Sequence, residues 1–314
     1  MPIARAFDLA FVRFNAPDLD EMYRFGLEFG FTLADRSDDT LYFRGAGAAP
    51  YLHVTTRGAP GFGGLAFRAT AEEVGAFAVA ERVEVKPLPG PGGGVSARSV
   101  DPDGFGVELV AGQHEAPVAE LPPRTPVNDA SAPQRRGNVP KRVVAGPAHV
   151  VRLGHCVLAV SDFRRSEAWY KERFGLITSD EIIDAGGVFG RRDEAVGAFM
   201  RLDRGAQPTD HHTLFLLGTG KPAFHHAAFE VLDLDDLMAG HAHLAAKTRQ
   251  PYWGVGRHLL GSQIFDYWRD PWGHTVEHWT DGDVFDASWG SHRASVEELF
   301  GVQWGPKLPT EVEP

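Results

Sequence analysis

Apolar residues along this chain fall into short runs that alternate with amphipathic stretches, and the alternation recurs four times. "CVLAV" (residues 156–160) is short, bounded and apolar, as expected of a buried strand. Ser161 or Asp162 then offers an N-cap to a helix whose Phe163, Tyr170 and Phe174 share one face. After Asp233, Leu234, Leu237, Met238 and Ala245 predict a second such stripe. Later strands end in turns such as "GTGKPAF" and "DPWG". The pattern predicts a βαβββ unit, twice on each side of residues 113–147, a Pro-, Ala- and Arg-rich stretch without sustained period that reads as a linker.

The two sides also match each other. "DLAFVRFNAPDLDEMYRFGLEFGF" from Asp8 parallels "HCVLAVSDFRRSEAWYKERFGL" from His155, and "FGGLAFRATAEEVGAF" from Phe62 parallels "FHHAAFEVLDLDDLMAG" from Phe224. The third pair is a doubled phrase, "DPDGFGVE" ending at Glu108 and "DPWGHTVE" ending at Glu277. Duplication of a supersecondary unit explains all three pairs at once.

Composition narrows the class. Of 314 residues 43% are hydrophobic and 23% charged, as in a globular protein. A net charge of -11 argues against a nucleic-acid partner, and no apolar run is long enough for a membrane span. Cys156 is the only cysteine, which excludes an intrachain disulfide and a thiolate zinc site. With no signal-like start in "MPIARAFDLAFVRF", a soluble protein of the bacterial cytoplasm is expected. Of the 14 histidines only His53 and His114 precede residue 130, so chemistry is expected in the second half.

These units resemble the vicinal oxygen chelate superfamily, whose paired βαβββ modules curl an open sheet around a metal. The implied fold is α+β, with two such domains, each forming an open barrel. The resemblance divides the chain into a metal-free domain at 1–112, a linker at 113–147, a metal-bearing catalytic domain at 148–285 and an extension at 286–314 that covers the site or packs on a neighbour. The arrangement is similar to that of class I extradiol ring-cleaving dioxygenases. That likeness implies Fe(II), with Mn(II) also accommodated, O2 as co-substrate and a small aromatic diol or triol as substrate. A homo-oligomer is expected.

Such a centre needs two histidines and a carboxylate on one face of the metal. His155 and His226, opening matching strands, and Glu277, in the final strand, meet that need at three repeat-equivalent positions. A lone histidine at a strand start is more often packed or solvated, so the coincidence of the three carries the reading. The first half serves as control: Asp8 and Gly64 are expected at its histidine positions beside Glu108, leaving no metal site.

By the same resemblance His211, 15 residues before His226, is the acid–base residue on the oxygen side. His258 and Tyr267, 19 and 10 before Glu277, would contact the substrate hydroxyls. His212 reads as structural, His225 as a support or packing residue. Homoprotocatechuate enzymes resemble this segment but carry a basic residue where Trp253 stands, five before His258. With Arg257 nearby, Trp253 and Arg257 are the further substrate-binding expectations, and an aromatic wall suits a neutral ring. The wording of residues 266–286 also resembles enzymes that open polyhydroxylated aromatics. Two rivals share the fold: a glyoxalase-type metal isomerase or lyase, and a non-enzymatic binding protein.

Overall fold

A computed structural model describes residues 1–309. The first half runs β1 (Asp8–Ala16), α1 (Leu19–Phe29), β2 (Thr32–Arg36), β3 (Thr40–Arg44), β4 (His53–Arg57), β5 (Gly61–Arg68), α2 (Ala71–Glu81), β6 (Val85–Pro87), β7 (Val95–Val100) and β8 (Gly106–Ala111). These strands form one sheet in the order β2-β3-β4-β1-β5-β8-β7-β6, two βαβββ modules joined where β1 meets β5.

The second half repeats the plan with β9 (Arg152–Val160), α3 (Phe163–Phe174), β10 (Leu176–Ile183), β11 (Ala195–Leu202), β12 (Thr209–Asp210), β13 (Leu214–Gly218), β14 (Ala223–Glu230), α4 (Leu234–Ala246), β15 (Gln250–His258), β16 (Ile264–Arg269) and β17 (Thr275–Thr280). After it come β18 (Val284–Phe285), β19 (His292–Ser295), α5 (Val296–Leu299) and β20 (Val302–Trp304). The second sheet runs β19-β10-β11-β13-β9-β14-β17-β16-β15-β20, while β12 and β18 pair separately. The segment from residue 286 thus adds a strand to each edge of that sheet; its last five residues, 310–314, lie outside the described ones.

Local chemistry sets the helix starts. The Asp162 carboxylate accepts from the Arg165 amide, Asp233 from Asp236, and Thr70 forms a reciprocal cap with Glu73. Asp162 rather than Ser161 is therefore the cap of α3, and Phe163, Tyr170 and Phe174 are buried as expected. On α4 the expected stripe is corrected. Leu237, Gly240 and Leu244 face inward, while Leu234 and Met238 are 42% and 44% exposed. The chain at Ala148 presses on this helix so closely that a Cβ at position 240 would stand 2.6 Å from the Ala148 Cβ; the helix turns its glycine there.

The two halves share one apolar core. Leu9, Phe29, Phe67 and Phe77 belong to the same buried cluster as Leu158, Phe174, Phe229 and Trp268. Each copy of the doubled turn also docks on the opposite half. In both copies the leading aspartate accepts main-chain amides of its own turn: Asp101 from Asp103 and Phe105, Asp270 from Trp272 and His274. Asp101 then receives the Tyr170 hydroxyl at 3.0 Å, and Asp103 takes the Ser161 amide at 2.9 Å. On the other side the His274 ring lies 5.1 Å from Phe14.

Candidate metal centre

β9 and β14 run antiparallel and β14 and β17 parallel, so His155 and Glu277 both fall opposite Ala228. A register shift between Phe224 and His226 breaks the strict alternation of side chains at His225. His155 and His226 each stand fourth in their strands, not first as the repeat suggested. The Nε2 atoms of His155 and His226 are 3.2 Å apart, and each is 3.2 Å from Glu277 Oε2. Among the described residues this is the cluster of three side chains able to hold a metal.

The triangle is buried: His155, His226 and Glu277 are 1%, 6% and 0% exposed. Both Glu277 oxygens and His155 Nδ1 lack a well-aligned hydrogen-bond partner. Polar atoms so enclosed are costly without one. A divalent cation in the triangle would take up Glu277 Oε2 together with the Nε2 lone pairs of His155 and His226, since ligands about 2.1 Å from one ion at right angles stand about 3 Å apart. Burial works against charge on Glu277, yet His155 and His226 outweigh it and hold the carboxyl below its ordinary range. Burial pushes His226 down, favouring the neutral imidazole that a metal requires. His225 meets His226 through their Nδ1 atoms at 2.7 Å, so a proton held there leaves the His226 Nε2 lone pair facing the triangle.

On one side of the triangle Tyr267 lies directly across the β16–β17 ladder from Glu277. His258 Nε2 stands 2.9 Å from the Tyr267 hydroxyl and 3.9 Å from Glu277 Oε1. Burial lowers His258 to about 4, and burial with the nearby Glu277 charge raises Tyr267 well above 10. Trp253 packs 5.3 Å from His258 and 5.4 Å from Tyr267, ring to ring. Arg257 is not brought in: alternation along β15 turns it to the other face, where Asp281 binds its guanidinium at 2.6 Å.

On the opposite side the two adjacent histidines divide. His212 lays its ring 4.0 Å from that of His155. Burial and its histidine neighbours hold it well below 6.5. His211 turns its Nε2 to Asp180 at 2.6 Å and meets His212 through the Nδ1 atoms at 3.0 Å. Sequence reasoning left His212 as structural and did not single out Asp180; nothing in their spacing marks them.

In the first half the equivalent ground is filled differently. Phe11, not Asp8, stands opposite Ala66 and so occupies the His155 position; Asp8 sits at the strand start beside Arg68. Gly64 replaces His226 as expected, with Glu108 opposite Ala66 in place of Glu277. The Arg13 guanidinium, reaching in from β1, binds Glu108 through Nε at 2.5 Å and Nη2 at 3.1 Å. An internal cation thus neutralises the carboxylate that the second half leaves open.

Residues 152–278 match the family described as the Glyoxalase/Bleomycin resistance protein/Dioxygenase superfamily. Metapyrocatechase 2 of Cupriavidus necator is 32% identical over 211 residues, 67% of this chain and 60% of that protein. The iron-dependent extradiol dioxygenase of Rhodococcus jostii is 26% identical over 48% of this chain and 50% of its own. The chain therefore spans half to three-fifths of these relatives' lengths. In fold, it superposes on a Mn(II)-bound glyoxalase of Novosphingobium aromaticivorans with a TM-score of 0.76 at 21% identity, covering 98% of this chain and 95% of that one. Homoprotocatechuate 2,3-dioxygenase of Arthrobacter globiformis gives 0.74 at 20% identity, over 95% and 88%. The chain has the two-domain paired-module fold of the vicinal oxygen chelate superfamily, with extradiol dioxygenases among its relatives and the family match on its second half.

Proposed function

We propose that this protein is an extradiol dioxygenase that opens a catechol-type or trihydroxylated ring with O2, with His155, His226 and Glu277 holding Fe(II), or Mn(II) in its place. The observation that carries the reading is the buried triangle of two imidazole nitrogens and one carboxylate oxygen with 3.2 Å edges. Held by His155, His226 and Glu277, the metal would supply binding positions for the diol and dioxygen and a path for electrons between them. Burial keeps His258 neutral near pH 7, so its free ring nitrogen can accept a hydrogen bond from a ring hydroxyl, and Tyr267, a phenol throughout, can donate one to a ring oxygen. On the far side His212 borders the triangle, and the contacts of His211 with His212 and Asp180 support a role for His211 as proton donor through His212.

Trp253 next to Tyr267 and His258, with Arg257 tied to Asp281, supports an uncharged ring bearing alkyl, aryl or hydroxyl groups over one bearing a carboxylate. Catechol, methylcatechol, dihydroxybiphenyl and 2,4,5-trihydroxytoluene are the class to test. Assembly of like chains belongs to the same proposal, and sedimentation measures it. The deciding experiment loads the protein anaerobically with Fe(II) and follows O2 consumption and near-ultraviolet absorbance on adding each diol. Uptake of one O2 per ring is expected; iron bound without O2 uptake on any diol or triol would sink the reading.

A further inference from the structure

Among the described residues, every α-helix but α4 turns charge to the water. α1 exposes Asp20 and Arg24, α2 exposes Glu72, α3 exposes Arg164 and Arg165, and α5 exposes Glu297. The outward line of α4 is instead Leu234, Met238, Ala242, Ala245 and Ala246, without a charge among them. Spacings of 4, 4, 3 and 1 put these residues on one side of the helix, as in a stripe made for burial. Yet the chain's own core takes the opposite side, through Leu237, Gly240 and Leu244. Beside the stripe runs the end of the linker, where Val143 and Val144 are 54% and 83% exposed. A groove of about 620 Å³ lies between the two, and Asp235 and His243 are the only polar side chains on its walls. A contiguous apolar face of this kind marks a contact surface.

Charge and shape together say what fits it. The helix starts with Asp233, Asp235 and Asp236 and ends with His243 and Lys247. Lys141 pairs with Asp235 and His149 with Asp236, which leaves the first turn net acidic and the last turn basic. A half-turn about an axis at the level of residue 241, perpendicular to the helix, brings Lys247 of one copy to Asp235 of the other. The same half-turn lays Met238, which is 44% exposed, into the hollow left by the small side chains of Ala242, Ala245 and Ala246. Helix dipoles oppose each other favourably in that arrangement, whereas a two-fold axis along the helix would set acid against acid. A surface complementary to itself under a half-turn is what a symmetric pair requires.

We infer that the outward face of α4, with the linker end at 143–146, is an interface between two copies of this chain, packed antiparallel across a two-fold axis. The interface leaves the metal centre clear. His241 of α4 lies 5.4 Å from Trp268, ring to ring, and bonds Asp266 at 3.0 Å. Alternation along β16 sets both of those residues on the sheet face opposite Tyr267. The second copy therefore buttresses the strands that carry Tyr267 and Glu277 from behind. The inference goes beyond the dioxygenase reading and uses none of it.

Sedimentation of the full chain at micromolar concentrations and above, with two variants, tests it. The parent should sediment as an even number of chains. Met238→Glu sets a charge in the middle of the contact and should raise the dissociation constant roughly a hundredfold, halving the sedimenting mass. Ala242→Cys places an accessible thiol beside the axis, Cys156 being buried. A short bismaleimide should join that variant into covalent dimers, whereas Val100→Cys, exposed on the first sheet, should give none. A parent that sediments as a single chain leaves the face to a different protein and overturns the inference. So does an oligomer whose mass Met238→Glu leaves unchanged and in which Ala242→Cys is not cross-linked. Should the variants behave as expected while the iron-loaded parent takes up no O2 with any diol, the interface stands and the dioxygenase reading falls.

Discussion

At the residue scale, the two halves show two ways of paying for one buried carboxylate. Glu277 faces histidines with free nitrogens, and Glu108 faces the Arg13 guanidinium. Replacing His226 with Ala should abolish stoichiometric Fe(II) or Co(II) binding, read by metal content after anaerobic loading. Arg13→Ala should leave Glu108 uncompensated and lower stability by about 3–5 kcal/mol, whereas Arg13→Met with Glu108→Leu should recover most of it; urea unfolding compares them. His53 gives the pH dependence. Burial lowers it to about 4, against roughly 6.5 in an unfolded chain, so the unfolded state takes up a proton first as pH falls. Its stabilising share is whole above about 6.5, is lost as pH falls towards 4, and amounts to roughly 2 kcal/mol by pH 5. In His53→Phe, which keeps a ring among Phe14, Phe31 and Phe43, the urea midpoint should fall less between pH 7 and pH 5 than in the parent. The triangle was legible in the sequence because duplication supplied its own reference copy. The Arg13 bridge was not, since it comes from a position two residues beyond the histidine equivalent, and the Asp8 alignment had slipped by three.

At the scale of elements, the modules were legible because each begins with a capping residue and an apolar strand. The doubled Asp-Pro turn was readable as a repeat, but its use as a joint between halves was not: periodicity shows that a face is buried, never against what. Asp101→Ala removes the acceptor for two turn amides and the buried Tyr170 hydroxyl, and should cost roughly 2–3 kcal/mol in thermal or urea unfolding. The extension at 286–314 was expected, but its two edge strands were not legible, for a related reason. Strands of four and three residues carry no readable period, and they form because two sheet edges offer unpaired main chain. The outward stripe of α4 was misjudged likewise, its roll being set by the close approach of Ala148 to Gly240.

At the scale of the molecule, the continuous core and the crossed contacts argue against two independent beads. Residues 3–6 hydrogen-bond to the end of α3, Arg249 of the second half binds Glu21 and Glu28 of the first, and His278 meets the Phe29 carbonyl at 2.7 Å. Calorimetry should therefore record one unfolding transition whose van't Hoff and calorimetric enthalpies agree. Two resolved transitions would contradict this packing.

One backbone angle limits what the first half can become. Gly64 holds φ of +132, and a Cβ there would stand 2.2 Å from the Gly106 carbonyl oxygen, whereas His226 is absent from the residues with positive φ. Side-chain grafting alone therefore cannot rebuild a second metal centre: Gly64→His should cost stability without gaining a ligand, because the peptide path would have to be re-laid before any imidazole could sit there. The duplicated architecture thus carries a lock in its main chain: with a glycine-only turn of the path at residue 64, no single substitution supplies the missing ligand, and what the first half gives the second is its share of the common core.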